Sequence, residues 1–129
     1  MTARRVCAPA LLAAVFLLMG CAPAEFAREQ TAADRPAFVL DGAGDAIDES
    51  TLRYVGVADG YDVYFALGAD NRDTLCLTLA VGDVWQSTDC AHDHVSVRLG
   101  PAVSVSAEFN YRSGEGREML SQNVWVNRK

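Results

Sequence analysis

From Leu52 to Val126, apolar and polar residues alternate in short runs broken by Gly, Asp and Asn. A period of two predicts half-buried strands. Asp59-Gly60 is a favoured dipeptide for a tight hairpin turn. Pairing across it sets Ala58 against Tyr61, Gly56 against Val63, Tyr54 against Phe65 and Leu52 against Leu67, all on one face, with Arg53, Asp62 and Tyr64 on the other. Thr74–Val81 alternates Leu75, Leu77, Leu79 and Val81 inward, and Gly82-Asp83 reverses the chain into Trp85–Asp89. A strand from His94 or Val95 carries Val95, Val97 and Leu99 on one face before Gly100-Pro101 breaks it. Val103, Val105, Ala107 and Phe109 alternate with Ser104, Ser106 and Glu108. A loop over 112–117 precedes a last strand around Asn123–Val126. The pattern predicts an all-β domain of six to eight short antiparallel strands, a meander closing as a barrel or a small two-layer sandwich.

Before Leu52 the pattern is weaker. Phe38-Val39-Leu40 reads as an entry strand or plug, and Asp41-Gly42-Ala43-Gly44-Asp45 as an acidic turn. Residues 22–36, with Pro23 and Pro36 near their ends, show no sustained period. They read as a flexible tether of roughly 20 Å root-mean-square reach.

The first twenty-one residues differ in kind. Arg4 and Arg5 precede an apolar run from Val6 to Met19, and Leu18-Met19-Gly20-Cys21 closes it. The run contains Pro9 and falls short of the roughly twenty apolar residues of a spanning helix. It resembles a bacterial lipoprotein signal peptide with its lipobox, although Met19 stands where Ala or Ser is favoured. The resemblance implies cleavage before Cys21, a diacylglycerol on its thiol, and a chain held at the extracytoplasmic face of the cell membrane. Two acyl chains hold firmly without a second membrane signal. The division is then 1–20 signal, 21–36 lipidated cysteine and tether, and 37–129 β domain. Across 52–126 the strand–Cys–turn–Trp–Cys order is similar to that of uncharacterised small actinobacterial extracytoplasmic β domains, a likeness that brings no activity with it.

With Cys7 in the signal and Cys21 lipidated, Cys76 and Cys90 remain as an even pair in an oxidising compartment, which predicts a disulfide. A strict two-residue turn at Gly82-Asp83 would place Cys90 on the wrong face. A one-residue shift, by a longer loop or a bulge, sets Cys90 opposite Cys76 and swings Trp85 inward beside Val81. Closing a loop of this length is worth about 3 kcal/mol in the chain-entropy picture.

Removing residues 1–20 takes two arginines and leaves 109 residues with nine basic and seventeen acidic side chains, a formal charge of −8. That sign disfavours nucleic acid and a surface lying flat on anionic lipid. No Gly-x-Ser-x-Gly elbow appears, and His92 and His94 are the only histidines, so the expectation is a non-enzymatic protein without a cofactor beyond its acyl lipid. The acidic turn lacks the alternating ligands and closing Glu of a calcium loop. Two alternatives have residues behind them. His92 and His94, two apart on an extended segment, would share a face and with Asp93 or Asp89 could hold zinc or copper. Tyr64, Tyr111 and Trp125 could form an aromatic surface for a protein or an envelope polymer. A small disulfide-bonded β domain also suits an inhibitor of a secreted hydrolase.

Overall fold

The computed structural model describes residues 23–109 and 117–129. Among these residues eight strands form two antiparallel sheets packed face to face, so of the two closures the sandwich is the one adopted. Sheet one is a meander of β1 (Arg53–Ala58), β2 (Tyr61–Leu67), β3 (Thr74–Val81) and β4 (Val84–His92). Sheet two contains β5 (His94–Arg98), β6 (Val103–Glu108), β7 (Glu118–Met119) and β8 (Val124–Arg128). Its order is β5-β6-β8-β7, so the meander breaks where β8 inserts between β6 and β7. Between the sheets lie Val63, Phe65 and Leu67 of β2, Leu75, Leu77 and Leu79 of β3, and Val95, Val97, Val105, Ala107, Val124 and Val126 of sheet two.

The Asp59-Gly60 hairpin forms as the pattern predicts, with Ala58 opposite Tyr61 and Gly56 opposite Val63. Beyond Gly56 the register changes. A bulge at Val55 sets Tyr54 against Tyr64 and Arg53 against Phe65, in place of the expected Tyr54–Phe65 and Leu52–Leu67 pairs. Gly56 makes the bulge accessible, its φ of +141° being a region other residues rarely adopt. Leu52 and Tyr64 therefore pack on the far side of sheet one with Ala66, Cys76 and Ala80, and Tyr54 lies against them.

That far side is covered by α1 (Ala37–Ala43), where the sequence suggested a strand or plug. Pro36 fixes the entry, its carbonyl accepting from the amides of Val39 and Leu40. Gly44, at φ +56°, ends the helix by donating its N–H to the Leu40 carbonyl. Val39 and Ala43 are buried against sheet one, and the indole of Trp85 lies against Gly42, where a Cβ would come within 2.2 Å of the ring. Seven residues give too short a helical period to read.

A two-residue turn joins β3 to β4, with Val81 opposite Val84, and a bulge at Gln86 then supplies the anticipated shift. Cys76 and Cys90 face each other with Cα atoms 4.1 Å apart and form a disulfide. Trp85 does not go inward beside Val81. It pairs with Ala80 on the helix side at 37% exposure, and Val81 is exposed.

The largest correction concerns residues 23–36, expected as a tether. They lie along β1, an edge strand of sheet one. Phe26, in a 3-10 turn over Ala24–Ala27, enters the sandwich core with its ring 4.9 Å from that of Phe65. Covering such a ring contributes about 2–3 kcal/mol. Asp34, in a second 3-10 turn over Ala32–Asp34, is 1% exposed. Its carboxylate accepts from both terminal guanidinium nitrogens of Arg28, Nη1 and Nη2, at 2.7 Å and from the amides of Thr31 and Tyr54 at 2.8 Å. Gln30 donates to the carbonyls of Glu49 and Leu52, and Arg53 to that of Arg28. Side chains thus occupy backbone groups beside and along the β1 edge that would otherwise invite a foreign strand.

Candidate functional site

In β5, Val95 and Val97 point inward, which leaves His94, Ser96 and Arg98 on the outer face of sheet two. By the same alternation β6 presents Ser104, Ser106 and Glu108, and β8 presents Trp125 and Asn127. The register lines these up in rows: Ser96, Ser106, Trp125 in one, and Arg98, Ser104, Asn127 in the next. Beside them lies an open cleft of about 280 Å³, bounded by Ser96, Arg98, Ser104, Asn127, Lys129 and the Gly100–Ala102 loop.

The hydrogen bonds in these rows have a direction. The indole N–H of Trp125 can only donate, and it donates to Asn127 Oδ1 at 3.0 Å. The amide orientation of Asn127 follows from that bond, and its Nδ2 donates to the Ser106 hydroxyl at 2.9 Å and the Ser104 hydroxyl at 3.3 Å. Ser106 in turn donates to Ser96 at 2.9 Å. Ser96 and Ser104 accept from within the protein, so their own hydroxyl protons are left to point outward. Arg98 has only donors to offer, and neither it nor Lys129 has an ion-pair partner among the described residues. Hydroxyl and guanidinium donors thus stand on one side of a cleft whose wall is otherwise largely apolar, and those donors suit an acceptor-rich group.

Trp125 contributes from the end of the Ser96–Ser106 row. It is 3% exposed, carries the Arg117 guanidinium over its ring at 5.2 Å and lies 6.1 Å from the His94 ring. As a contact surface it is a correction to the expected aromatic patch. So is Tyr64, which is 5% exposed under α1 with its ring against Tyr54 at 5.3 Å. Burial first, then nearby Asp62, pushes the hydroxyls of both tyrosines up. Tyr111 lies outside the described residues, as does Cys21.

The histidine segment is a corner between sheets. Asp93 takes φ +60°, donates its N–H to the Asp73 carbonyl and accepts from the Phe109 amide. His92 ends β4 opposite Thr74, while His94 begins β5 opposite Glu108. The shared face expected of an extended segment is lost at the left-handed Asp93. His92 Nδ1 lies 3.0 Å from Asp93 Oδ2, both exposed, and Cys90 is taken by the disulfide. Among the described residues no three His, Cys, Asp or Glu side chains gather into a metal-binding group. Asp41 and Asp45, of the acidic turn, lie in α1 and in the 3-10 turn after it.

Sequence reasoning missed Ser96, Arg98, Ser104 and Asn127. Their alternation was legible, but only the β6–β8 pairing across the inserted strand puts them in one place. Among the described residues no helix is long and apolar enough to cross a membrane. No family model, curated protein or solved structure matches the chain.

Proposed function

We propose that this is a lipid-anchored, non-catalytic binding domain of the bacterial cell envelope. Its outer sheet-two face takes up an anionic, oxygen-rich group of an envelope polymer. The donor-terminated rows around Arg98, Ser96 and Ser104 carry this reading, because donors set in a cleft on a rigid sheet favour a carboxylate or phosphate over a neutral or basic group. The volume admits one sugar ring or one acidic group with its neighbour. The anchor part rests on Leu18-Met19-Gly20-Cys21, and the Cys76–Cys90 disulfide supports an oxidising compartment.

The test is a titration of the folded protein with an oligogalacturonate, a poly(glycerol phosphate) chain and neutral dextran. Binding of either anionic chain, weakened at least tenfold in Arg98→Gln and falling with salt, is the expected result, since a charge-assisted contact is worth about 1.5–3 kcal/mol. The two anionic arms separate carboxylate from phosphate recognition. Equal binding of dextran, no binding by any arm, or an Arg98→Gln protein that binds as well as the parent would remove the proposal.

A further inference from the structure

We infer that the domain is clamped against the membrane by its Ser121–Asn123 edge, with the sheet-two cleft carried at the far end of β8. This rests on the lipid-anchor reading of Cys21 and adds an orientation to it.

The fold begins much nearer the anchor than a tether would allow. Pro23 is already buried, and Glu25 is 7% exposed. One Glu25 carboxylate oxygen accepts from the Asn123 amide at 2.7 Å and from the Ser121 hydroxyl, both in the turn between β7 and β8. Phe26 then enters the core, and Asp34 with Arg28 holds the rest of the segment to β1. Only Ala22 separates Cys21 from the first packed residue. Two residue spacings reach about 7 Å at most. The polar layer of a bilayer leaflet is about 5–8 Å thick. The two lengths are nearly equal, so with an acyl chain on Cys21 only the cysteine side chain and its glycerol add to the distance between the domain and the lipid. The turn that holds Glu25, two residues beyond Pro23, is thereby kept close to the headgroup surface.

The strand that leaves this turn sets the position of the cleft. β8 runs from the Asn123 end to Arg128, and Lys129 and Asn127 line the cleft at its other end. Six residue steps from Asn123 to Lys129 span about 20 Å. The clamp thus carries the Arg98–Ser104–Asn127 row and the Gly100–Ala102 loop farther from the lipid than Ser96, whose row passes through Trp125 two residues from Asn123. The second Glu25 oxygen is buried without a hydrogen-bond partner, as is Asn123 Oδ1. Such groups are costly to hold in place, and both belong to the clamp.

The experiment uses the full-length protein in phospholipid vesicles, with p-benzoylphenylalanine placed at Gln122 in one variant and at Ala102 in another. Both positions are exposed. Mass spectrometry of the same samples reads the acyl group on Cys21. The expected result is photo-crosslinking to lipid at Gln122 at least several-fold above that at Ala102, a difference erased when twelve Gly/Ser residues are inserted between Ala22 and Pro23. Acylated protein with equal yields at the two sites, with no yield at Gln122, or with a Gln122 yield the insertion leaves unchanged would overturn the clamp alone. Protein exported but without an acyl group on Cys21 would overturn the anchor reading beneath it.

Discussion

Replacing Asp34 by Asn asks directly whether residues 23–36 are part of the fold. The carboxylate receives two contacts from Arg28, two from Thr31 and one from the Tyr54 amide, while only 1% exposed. Asn keeps one acceptor oxygen and turns an NH2 group toward existing donors. At least two charge-assisted bonds are lost, each worth about 1.5–3 kcal/mol. The Arg28 share needs discounting, because that side chain is 45% exposed and water replaces part of what it loses. The expected cost at pH 7 is about 3 kcal/mol. In a domain of this size that lowers Tm by roughly 12–24 °C. A tether residue would cost about nothing.

The same substitution has a pH signature. Burial alone would push the Asp34 carboxyl up; the bonds from Arg28, Thr31 and Tyr54 outweigh it and hold the group well below the usual carboxylate range. The folded state then binds its proton later than the unfolded chain does. Asp34 therefore adds stability fully above the unfolded value of about 3.9, and that contribution is lost as pH falls below it toward the folded value. Urea unfolding of both proteins, followed by tryptophan fluorescence with the disulfide intact at pH 7, 4 and 2.5, reads the difference. It should be largest at pH 7 and shrink through the acid range. A cost under about 0.5 kcal/mol at pH 7, within the spread of an ordinary surface change, or curves that stay parallel into acid, would refute the reasoning.

Three other outcomes follow from the packing. Gly42→Ala drives a methyl into the Trp85 indole and should cost about 1–3 kcal/mol with a shift in indole emission, read by urea melts. Reducing Cys76–Cys90, or replacing both by Ala, should cost about 3 kcal/mol in the same assay, since the bond closes a sequence separation of 14. Tyr54 and Tyr64 hold their protons above the usual tyrosine value, mainly through burial, so folding stability should be intact below about pH 10 and decline as pH rises beyond it. Tyr64→Phe should flatten that alkaline decline in stability titrations.

The inward residues of β2 and β3 were legible, though not the choice of sandwich over barrel, because each strand combines a period of two with a turn that fixes the register. The Cys76–Cys90 pairing was legible because those two cysteines remain once Cys7 and Cys21 are assigned to the signal and the lipid, and the register of β3 on β4 because a disulfide needs facing Cβ atoms. What escaped was set by contacts between distant segments. The bulge at Val55 turns Leu52 and Tyr54 against the alternation their spacing suggests. Ala37–Ala43 is helical because sheet one offers Val39 and Ala43 a surface and Trp85 fits over Gly42, while its own seven residues show almost no period. Glu25, Arg28 and Asp34 look like solvated tether charges until their partners, Asn123 and Tyr54, are brought beside them. The cleft rows failed to show for the same reason, since Asn127 meets Ser104 only through the β6–β8 pairing.

The layers also explain why binding would fall to sheet two. The outer face of sheet one carries α1 and Trp85, and its β1 edge carries residues 23–36, so neither offers a continuous free surface. Among the described residues no helix lies over the outer face of sheet two; Ser106 and Trp125 are buried in it, and its more exposed positions must be polar to meet water. Ser96, Ser104 and Asn127 meet that need, but solubility alone would be met by side chains pointing independently into water. Here they are joined in one direction from a buried indole outward, which orders three hydroxyls beside a guanidinium at the cost of their rotational freedom. Ordering of that kind lowers the entropy to be lost when a ligand arrives. A Trp125→Phe protein tests the point: it removes the indole N–H and frees the Asn127 amide to turn, at a cost of about 1–3 kcal/mol for a buried bond lost, and the protein that remains folded should bind the anion more weakly, whereas a purely solvating row would show no change in binding.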